Sequence, residues 1–366
     1  MTTNMVGAGK VVGAGKEVLN SGALRARLGG EVLISGALGG RAPERMDSDT
    51  RELLRSSLRH TLTETSARPF GERLAELGWD DVLADDAPAA LGLLFEIKGD
   101  TVANADALGP ELSRCLAVAS GDPSLGAVVV GLPGVSTLVE ADGNVTISAM
   151  VAASSAGLPA AVAVICGDAG KERLAILPSG TAFTSTPCHV GDPGLELVRI
   201  TATVPSGNVE WLDHRVAAVV LACARALLST EMVGLAAHVI ASAVAYTGQR
   251  VQYGKAIGTF QALQHRIASA HALVTGARHL ADAARETNDP WTALVAKAMA
   301  GQAAETACVQ AQQCYGAIGF TWEHEFHRYL KRAYAFDWIA GDWRALEAQI
   351  GATLQATGVV PHIGSL

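Results

Sequence analysis

The sequence predicts a mainly α-helical protein with a small β domain in the middle of the chain. Eleven of the thirteen prolines lie at or before Pro205, and only Pro290 occurs between that residue and Pro361, so the last part of the chain is free to form long helices. Short apolar and β-branched runs, separated by Gly, Pro, Asp and Ser, fill residues 121–211. Helices, then strands, then helices in separate blocks exclude an alternating β-α fold and most nucleotide-binding sheets.

Composition excludes several classes of protein. With 49% hydrophobic and 17% charged residues the chain is not disordered, and a net charge of -8 without a Lys/Arg-rich run argues against a nucleic-acid binder. The longest apolar segment, residues 216–246, is interrupted by Arg225, Glu231 and His238, which predicts a buried helix and no membrane span. Six scattered cysteines without metal spacing, and the lack of a signal-peptide pattern, predict a cytoplasmic protein with reduced thiols.

Four segments follow one another along the chain. The first is glycine-rich and aperiodic, and we expect a mobile extension, because its doubled VGAGK lacks the GKS or GKT ending of a phosphate-binding loop. The second begins with an amphipathic helix capped at Asp47 or Ser48. The predicted extension, N-terminal helical domain, central β domain and C-terminal four-helix bundle span residues 1–45, 46–120, 121–211 and 212–366.

The bundle is predicted from four long Ala- and Leu-rich runs, each roughly 40 Å long at 1.5 Å per residue. The first is apolar almost all round, so it must be covered on more than one side, and we expect a second subunit to supply part of that cover. The four predicted helices are Arg215–Tyr246, Phe260–Glu286, Trp291–Tyr315 and His327–Gln355.

A polar elbow joins the first two of these helices, in the sequence QRVQYGKAIGTFQALQHR. Arg250 offers a planar fork of donors, Lys255 and Arg266 flank the next turn, and the following helix begins with positive partial charge. One interpretation is a phosphate clamp. The other is that Arg250 neutralises the carbonyl groups ending the preceding helix while Tyr253 packs as a staple.

A second motif ends the third helix, where Gln313 is followed by Gly316, Gly319 and Phe320. Glycines at such a place let a phosphate or a ligand backbone approach closely. Alternatively, the two glycines simply end the helix.

Together the two motifs resemble those of the acyl-CoA dehydrogenase family, flavoenzymes that desaturate acyl-CoA thioesters between Cα and Cβ. The family patterns R-x-x-F-G-K-x-[IL]-x-x-[FH]-Q and Q-x-x-G-G-x-G-[FY] correspond here to Arg250–Gln261 and Gln313–Phe320, and a basic helix with Arg332 follows. The order of helices, β domain and bundle covers the chain from about Met46 to its end. The resemblance implies FAD, an acyl-CoA substrate and an electron-transfer flavoprotein or similar acceptor.

In the family, the elbow arginine and the glutamine-glycine turn grip the pyrophosphate and adenosine of FAD bound mainly by a neighbouring subunit. Ala317 replaces the second family glycine, a small departure. Carried over by position, the implied cofactor contacts are Arg250, Gln252, Tyr253, Phe260, Gln313 and Gly316.

The β domain departs from the family pattern. The segments T-E-P-x-x-G-S-D and K-x-W-I-[TS], which surround the flavin ring in the family, are absent between Gly121 and Trp211. The nearest similar runs, GLPGVSTL and VTISAMVAASSA, lack the acid, the serine-aspartate pair and the aromatic residue. We therefore expect this chain to hold a flavin ring poorly by itself.

The catalytic base is also missing. Abstraction of the α-proton of a thioester requires a desolvated carboxylate. The two positions at which the family carries its glutamate correspond here to Gly341 and Ala224. Asp342 is a weak substitute with a shorter side chain, and Glu231 lies about 10 Å further along its helix; either can instead be structural.

A cluster of acids and histidines in TWEHEFHR resembles a metal box, but its spacing fits no standard site, so we expect a polar turn and no metal.

Three hypotheses follow. The first is a degenerate subunit of an α2β2 acyl-CoA dehydrogenase, similar to two-component actinobacterial enzymes, many of which act on CoA esters of steroid side chains. The second is a self-sufficient dehydrogenase that uses Asp342 as its base. The third is a flavin-free structural or regulatory paralogue whose bundle only assembles with other subunits.

Overall fold

The computed structural model describes residues 46–66, 68–134, 136–152, 161–167, 172–188, 192, 195 and 197–363. The extension expected over residues 1–45, including the doubled VGAGK, lies outside the described residues. The chain forms two compact units, of which the first ends at Leu94 and the second begins at Phe95.

Helices make up the described part of the first unit. The Asp47 carboxylate accepts a hydrogen bond of 2.8 Å from the backbone N–H of Thr50, which confirms a cap at one of the two predicted residues. A later helix bends at Asp86, whose φ of -148° is not helical and whose carboxylate caps the second part by accepting from Ala89 N–H. The helices are α1 (Ser48–Thr63), α2 (Phe70–Glu76) and α3 (Trp79–Thr101), the last continuing into the second unit.

The second unit continues with helix α4. Two sheets follow it, within the segment predicted as the β domain. The described strands are ordered β1-β4-β5-β8 in one four-stranded sheet and β2-β3-β7-β6 in the other, and every pair is antiparallel except β1 with β4. The elements are α4 (Leu108–Ser120), β1 (Val129–Gly131), β2 (Ser136–Ala141), β3 (Asn144–Ala152), β4 (Val162–Cys166), β5 (Arg173–Ile176), β6 (Thr184–Cys188), β7 (Leu197–Pro205) and β8 (Glu210–Leu212).

Both faces of the first sheet are buried. Val162 and Val164 pack with the inward residues of β3 and β7 in a core between the two sheets. Ala163 and Ile165, which alternate with them along β4, join the larger core that contains the bundle. The first sheet therefore lies between the second sheet and the bundle.

The bundle is built around α5 (His214–Gln249), a 36-residue helix with buried residues along most of its length. Among the described elements, α4, α6, α7, α8 and β5 pack against it. It alone of the described helices has the length and hydropathy of a membrane span, and 78% of that span is buried inside the protein. The chain itself therefore covers most of this helix.

The remaining helices are α6 (Gln261–Thr287), α7 (Pro290–Tyr315), α8 (Phe326–Trp338) and α9 (Trp343–Thr357). The continuous fourth helix predicted over His327–Gln355 is wrong. The chain leaves the helix between α8 and α9, where Ala340 and Gly341 have φ angles of 64° and 108°. Left-handed backbone of this kind cannot continue an α-helix.

The C-terminal end of α3 crosses α5 at backbone contact. A Cβ atom added to Gly99 would lie 1.9 Å from the carbonyl oxygen of Glu231, and one added to Gly234 would lie 2.2 Å from that of Glu96. Only glycine allows so close an approach at these positions. The same crossing carries a buried ion pair, in which Lys98 Nζ lies 2.5 Å from Glu231 Oε1.

We expect Gly99→Ala or Gly234→Ala to destabilise the second unit by about 3 kcal/mol or more, because the helices must separate to admit the methyl group. The measurement is the denaturant dependence of unfolding. Gly276→Ala on α6 is the matched control, since its added Cβ would meet Met299 Cε at an ordinary 3.7 Å. Equal stability of the three variants would contradict the close crossing.

Candidate functional site

The elbow after α5 is a tight hairpin. Strands β9 (Val251–Gln252) and β10 (Lys255–Ala256) pair antiparallel, with Gln252 opposite Lys255. The two residues between them, Tyr253 and Gly254, have positive φ angles of 54° and 76°, as in a type I′ turn. The Tyr253 side chain is 91% exposed, so its unusual backbone angle is not explained by packing.

Backbone hydrogen bonds fix the ends of this hairpin. The N–H of Arg250 donates to Tyr246 O at 2.9 Å, and the N–H of Ile257 donates to Arg250 O at 2.8 Å. Phe260 stands immediately before α6, its ring edge-on to Tyr253 and 4.4 Å from Lys255 Nζ. An aromatic ring and a cation therefore lie together on the exposed elbow.

The guanidinium of Arg250 is exposed and has no hydrogen-bond or ion-pair partner among the described residues. Its backbone N–H, and not its side chain, satisfies the Tyr246 carbonyl at the end of α5. Gln252 is exposed as well. The elbow thus presents the Arg250 cation and a neutral donor to solvent, features that the phosphate-clamp interpretation requires.

The second motif contains two glycines of different character. Gly316 ends α7 with φ 61°, and a Cβ added there would meet nothing within 4 Å. Gly319 is buried, and its added Cβ would lie 2.6 Å from Gln312 Nε2. Gly316 therefore leaves open space beside the chain, whereas Gly319 is closely packed. Gln313 is exposed, and so is Phe320.

The structure brings both motifs to the same end of the bundle. The ring of Tyr246, one turn before Arg250, packs edge-on against Tyr315, the residue before Gly316, with centroids 5.3 Å apart. At the same end, Arg266 donates to Gln310 Oε1 at 2.9 Å and thereby joins the start of α6 to the end of α7. Two segments far apart in sequence thus form one surface.

The histidines of TWEHEFHR serve the turn before α8. His324 Nδ1 accepts from Phe326 N–H at 3.2 Å, and its ring packs against Tyr315 with centroids 4.3 Å apart. His327 Nδ1 is 2.9 Å from the carbonyl oxygen of His324. In the part of the chain that the structure describes, no group of three or more His, Cys, Asp or Glu side chains is arranged to hold a metal ion.

The two positions that correspond to the family base, Gly341 and Ala224, are both closely packed. A Cβ added to Gly341 would lie 2.7 Å from Leu346 Cδ2, and Ala224 is fully buried in the core. Asp342 caps α9 by accepting from Ala345 N–H at 3.1 Å. Glu231 is paired with Lys98, a partner that sequence reasoning missed.

Two buried cations hold the turn between α8 and α9. Arg225 Nε donates to Ala340 O at 3.1 Å, and Lys297 Nζ donates to Asp337 O at 3.1 Å and Gly341 O at 3.0 Å. Burial lowers the pKa of Arg225 to about 10 and that of Lys297 to about 8. Both residues interrupt apolar helical runs. That interruption is the one signal by which the sequence could have revealed a role for them.

The β domain closes the same turn from the other side. The N–H of Ala340 donates to Pro133 O at 2.9 Å. Gly134, at φ 88°, approaches so closely that an added Cβ would lie 1.9 Å from Trp338 O. The β domain therefore packs closely against the turn that contains Gly341.

A cleft of about 210 Å³ adjoins Arg225. Only Nε of this buried arginine is hydrogen-bonded to the described residues, and the indole N–H of Trp291, on the same cleft, is buried without a partner among them. The lining residues are Glu172, His214, Ala218, Leu221, Arg225, Pro290, Trp291, Leu294, Gln349 and Thr353. No residue of either sequence motif lines it.

The charge of Lys297 predicts a pH-dependent stability. Its pKa is about 8 when folded, against an ordinary 10.5, so the native state releases this proton first as the pH rises. Between those values the unfolded state holds more protons, and stability increases with pH; the cost of burying the charge is fully present below about pH 8.

We therefore expect the stability difference, wild type minus Lys297→Met, to rise by about 2 kcal/mol between pH 8 and pH 10. Urea unfolding of both proteins at a series of pH values measures it. A difference that does not change with pH would show that Lys297 does not titrate in this window.

Comparisons with known proteins show which family this chain resembles. Residues 214–354 match the model of the acyl-CoA dehydrogenase C-terminal domain. Acyl-CoA dehydrogenase IpdE2 of Mycolicibacterium smegmatis is 30% identical over 324 residues, covering 83% of this chain and 99% of the relative. IpdE2 of Mycobacterium tuberculosis is 35% identical over 156 residues, covering 42% of this chain and 46% of the relative.

Solved structures share the fold at low identity. A variant of the Tcur3481-Tcur3483 steroid ACAD superposes with a TM-score of 0.59 at 19% identity, covering 94% of this chain and 97% of its own. A chain of the ChsE4-ChsE5 complex from Mycobacterium tuberculosis superposes with a TM-score of 0.60 at 17% identity, covering 99% and 100%.

Proposed function

This chain belongs to the acyl-CoA dehydrogenase family, and on that basis we propose that it is the subunit of a heteromeric enzyme that grips the phosphates of a flavin held mainly by a partner. Members of the family are FAD-dependent oxidoreductases that act on CH–CH groups. The finer assignment rests on one contrast: the bundle end presents Arg250 without a partner among the described residues, while the position of the family base holds Gly341, with φ 108°, in place of a carboxylate.

The residues at the bundle end fit the phosphate and adenosine end of FAD. Arg250 can donate two parallel hydrogen bonds to a phosphate, and Gly316 leaves the space that a close backbone approach requires. Phe260 and Tyr253 offer aromatic surface beside them. When bound, FAD supplies the electron acceptor for desaturation; this chain would supply donors that orient it.

The other half of the chemistry is assigned to the partner. Proton abstraction from Cα requires a carboxylate that is desolvated and free to accept. Asp342 is committed to the first turn of α9, and Glu231 is neutralised by Lys98 within the core. A side chain at position 341 would meet the Leu346 side chain, and the φ of 108° at that position favours glycine. We therefore place the flavin ring site and the base on a second, complete subunit.

The structural relatives support this division and suggest a substrate class. One solved structure with this fold is named as the ChsE4-ChsE5 complex, and another as the Tcur3481-Tcur3483 steroid ACAD. We propose an α2β2 assembly in the cytoplasm that desaturates an acyl-CoA thioester, with a steroid side-chain CoA ester as the leading candidate. An electron-transfer flavoprotein or similar acceptor would reoxidise it.

Two other functions remain testable. The cleft beside Arg225 favours a self-sufficient enzyme with Asp342 as base, because it adjoins the turn that precedes Asp342. Asp342 itself does not line that cleft, which weighs against this version. A flavin-free structural paralogue would leave the exposed Arg250 without a ligand.

We expect this chain expressed alone to be colourless or insoluble, and its co-expression with a complete acyl-CoA dehydrogenase subunit from the same genome to yield a yellow complex. In that complex, Arg250→Met should weaken FAD retention about tenfold, the loss of one charge-assisted contact. Flavin absorbance after dialysis measures it.

Arg344→Met is the matched control, because that exposed arginine is paired with Glu305 on another part of the bundle. Unchanged FAD retention in Arg250→Met would favour the flavin-free paralogue. A yellow, active oligomer from this chain alone would overturn the proposal.

Substitutions of Asp342 can distinguish a helix-capping role of this residue from a role as the catalytic base. Asn caps helices as well as Asp does but cannot accept the α-proton, so we expect Asp342→Asn to retain both turnover and stability. Asp342→Ala should lose about 1 kcal/mol of stability and also retain turnover in the assembled enzyme. Steady-state kinetics and unfolding midpoints report the two properties; loss of turnover in Asp342→Asn with flavin still bound would establish the self-sufficient enzyme.

A further inference from the structure

Arg225 on α5 is a buried cation that lacks a negative partner. The residue is only 7% exposed, and its Nε donates to the carbonyl oxygen of Ala340 at 3.1 Å. Its two Nη groups have no hydrogen-bond or ion-pair partner among the described residues. A buried charge without a counter-ion destabilises the folded state. An anion bound from outside would therefore neutralise a charge that the described chain leaves uncompensated.

The cleft of about 210 Å³ gives such an anion access to Arg225. Its walls come from the first half of α5, the start of α7, the later part of α9 and the residue before β5. The Nη atoms lack a partner among the described residues but are not shielded from solvent, so they face this open space. The volume corresponds to about seven water-sized groups at about 30 Å³ each, which suits a small organic molecule.

The walls of the cleft are largely apolar and determine the body of the ligand. The apolar lining residues are Ala218, Leu221, Pro290, Trp291 and Leu294. Two of them form the first turn of α7, whose N-terminus adds a positive partial charge. A matching ligand therefore combines an anionic head with a short apolar body.

The charged groups determine the head. The end of a guanidinium presents two parallel N–H groups, which match the two oxygens of a carboxylate. Glu172 lines the same cleft, and its negative charge repels a second charge on the ligand. A carboxylate with a single charge therefore fits better than a phosphate dianion.

We propose that the cleft beside Arg225 binds a small monocarboxylate with a short apolar body. The carboxylate accepts from the Nη groups of Arg225, and the body packs on Leu221, Leu294 and the ring of Trp291. The bound ligand bears on the α8–α9 turn, because the same guanidinium holds the carbonyl oxygen of Ala340.

This site is independent of the flavin contacts proposed at the bundle end, since no residue of either motif lines it. It also differs in chemistry from a site for an acyl-CoA thioester. A thioester presents a neutral carbonyl group, which cannot supply the counter-charge that Arg225 lacks.

The test is isothermal titration calorimetry of the assembled protein, or of the full chain, with pentanoate. The comparison ligands are 1-pentanol, which lacks the charge, and inorganic phosphate, which lacks the apolar body. We expect pentanoate to bind more tightly than either by about tenfold or more, the contribution of a charge-assisted pair of hydrogen bonds. Absence of saturable pentanoate binding, equal or tighter binding of either comparison ligand, or displacement of pentanoate by pentanoyl-CoA would overturn the proposal.

Variants place the binding in the cleft. Arg225→Met should abolish pentanoate binding, Ala218→Leu should weaken it by filling the cleft, and Glu172→Gln should tighten it because a repelling charge is removed. Ala272→Leu, on the exposed face of α6, and Arg250→Met are the controls and should bind as the wild type does. Circular dichroism confirms that each variant is folded. Wild-type affinity in Ala218→Leu, or weaker binding in Glu172→Gln, would contradict this placement even if Arg225→Met failed to fold.

Discussion

The burial of α5 is the constraint on which the rest of the second unit depends. A 36-residue helix that is apolar on almost every side has to be surrounded, and here α4, α6, α7, α8 and β5 surround it. Where α5 crosses α3, Gly99 and Gly234 have no side chain, so the two backbones come into contact. A methyl group at either glycine would separate the helices and open the core.

Charges on such a helix must be compensated, and their partners shape the candidate site. Glu231 is paired with Lys98, and Arg225 binds the carbonyl oxygen of Ala340. The latter contact, with those of Lys297, holds the α8–α9 turn by its carbonyl groups. A turn held by buried cations and closed by the β domain is a rigid element. These contacts order the backbone around Gly341, which carries no carboxylate.

In contrast to the buried α8–α9 turn, the bundle end that carries the two motifs is exposed to solvent. There the side chains of Arg250, Gln252 and Gln313 are exposed, and Tyr253 and Phe320 are more than three-quarters exposed. The supporting backbone is nonetheless well fixed, by a two-residue hairpin and by the packing of Tyr246 on Tyr315. A rigid scaffold that presents free donors and aromatic rings is suited to a ligand or a second chain, because little conformational entropy is lost when it binds.

The order of residues was enough to predict the fold class, the family and the two motifs at the bundle end, because each depends on local pattern: proline distribution, helical runs, and a turn whose residues adopt positive φ. It also revealed that positions 224 and 341 lack a carboxylate. The surroundings of these two positions could be learned only from the folded chain. The partners of Arg225, Lys297 and Glu231 are distant in sequence, and the break of the fourth predicted helix at Ala340 depends on hydrogen bonds from another domain. Long-range contacts of this kind have no local signature, so only three-dimensional packing shows how the turn around Gly341 is held and closed.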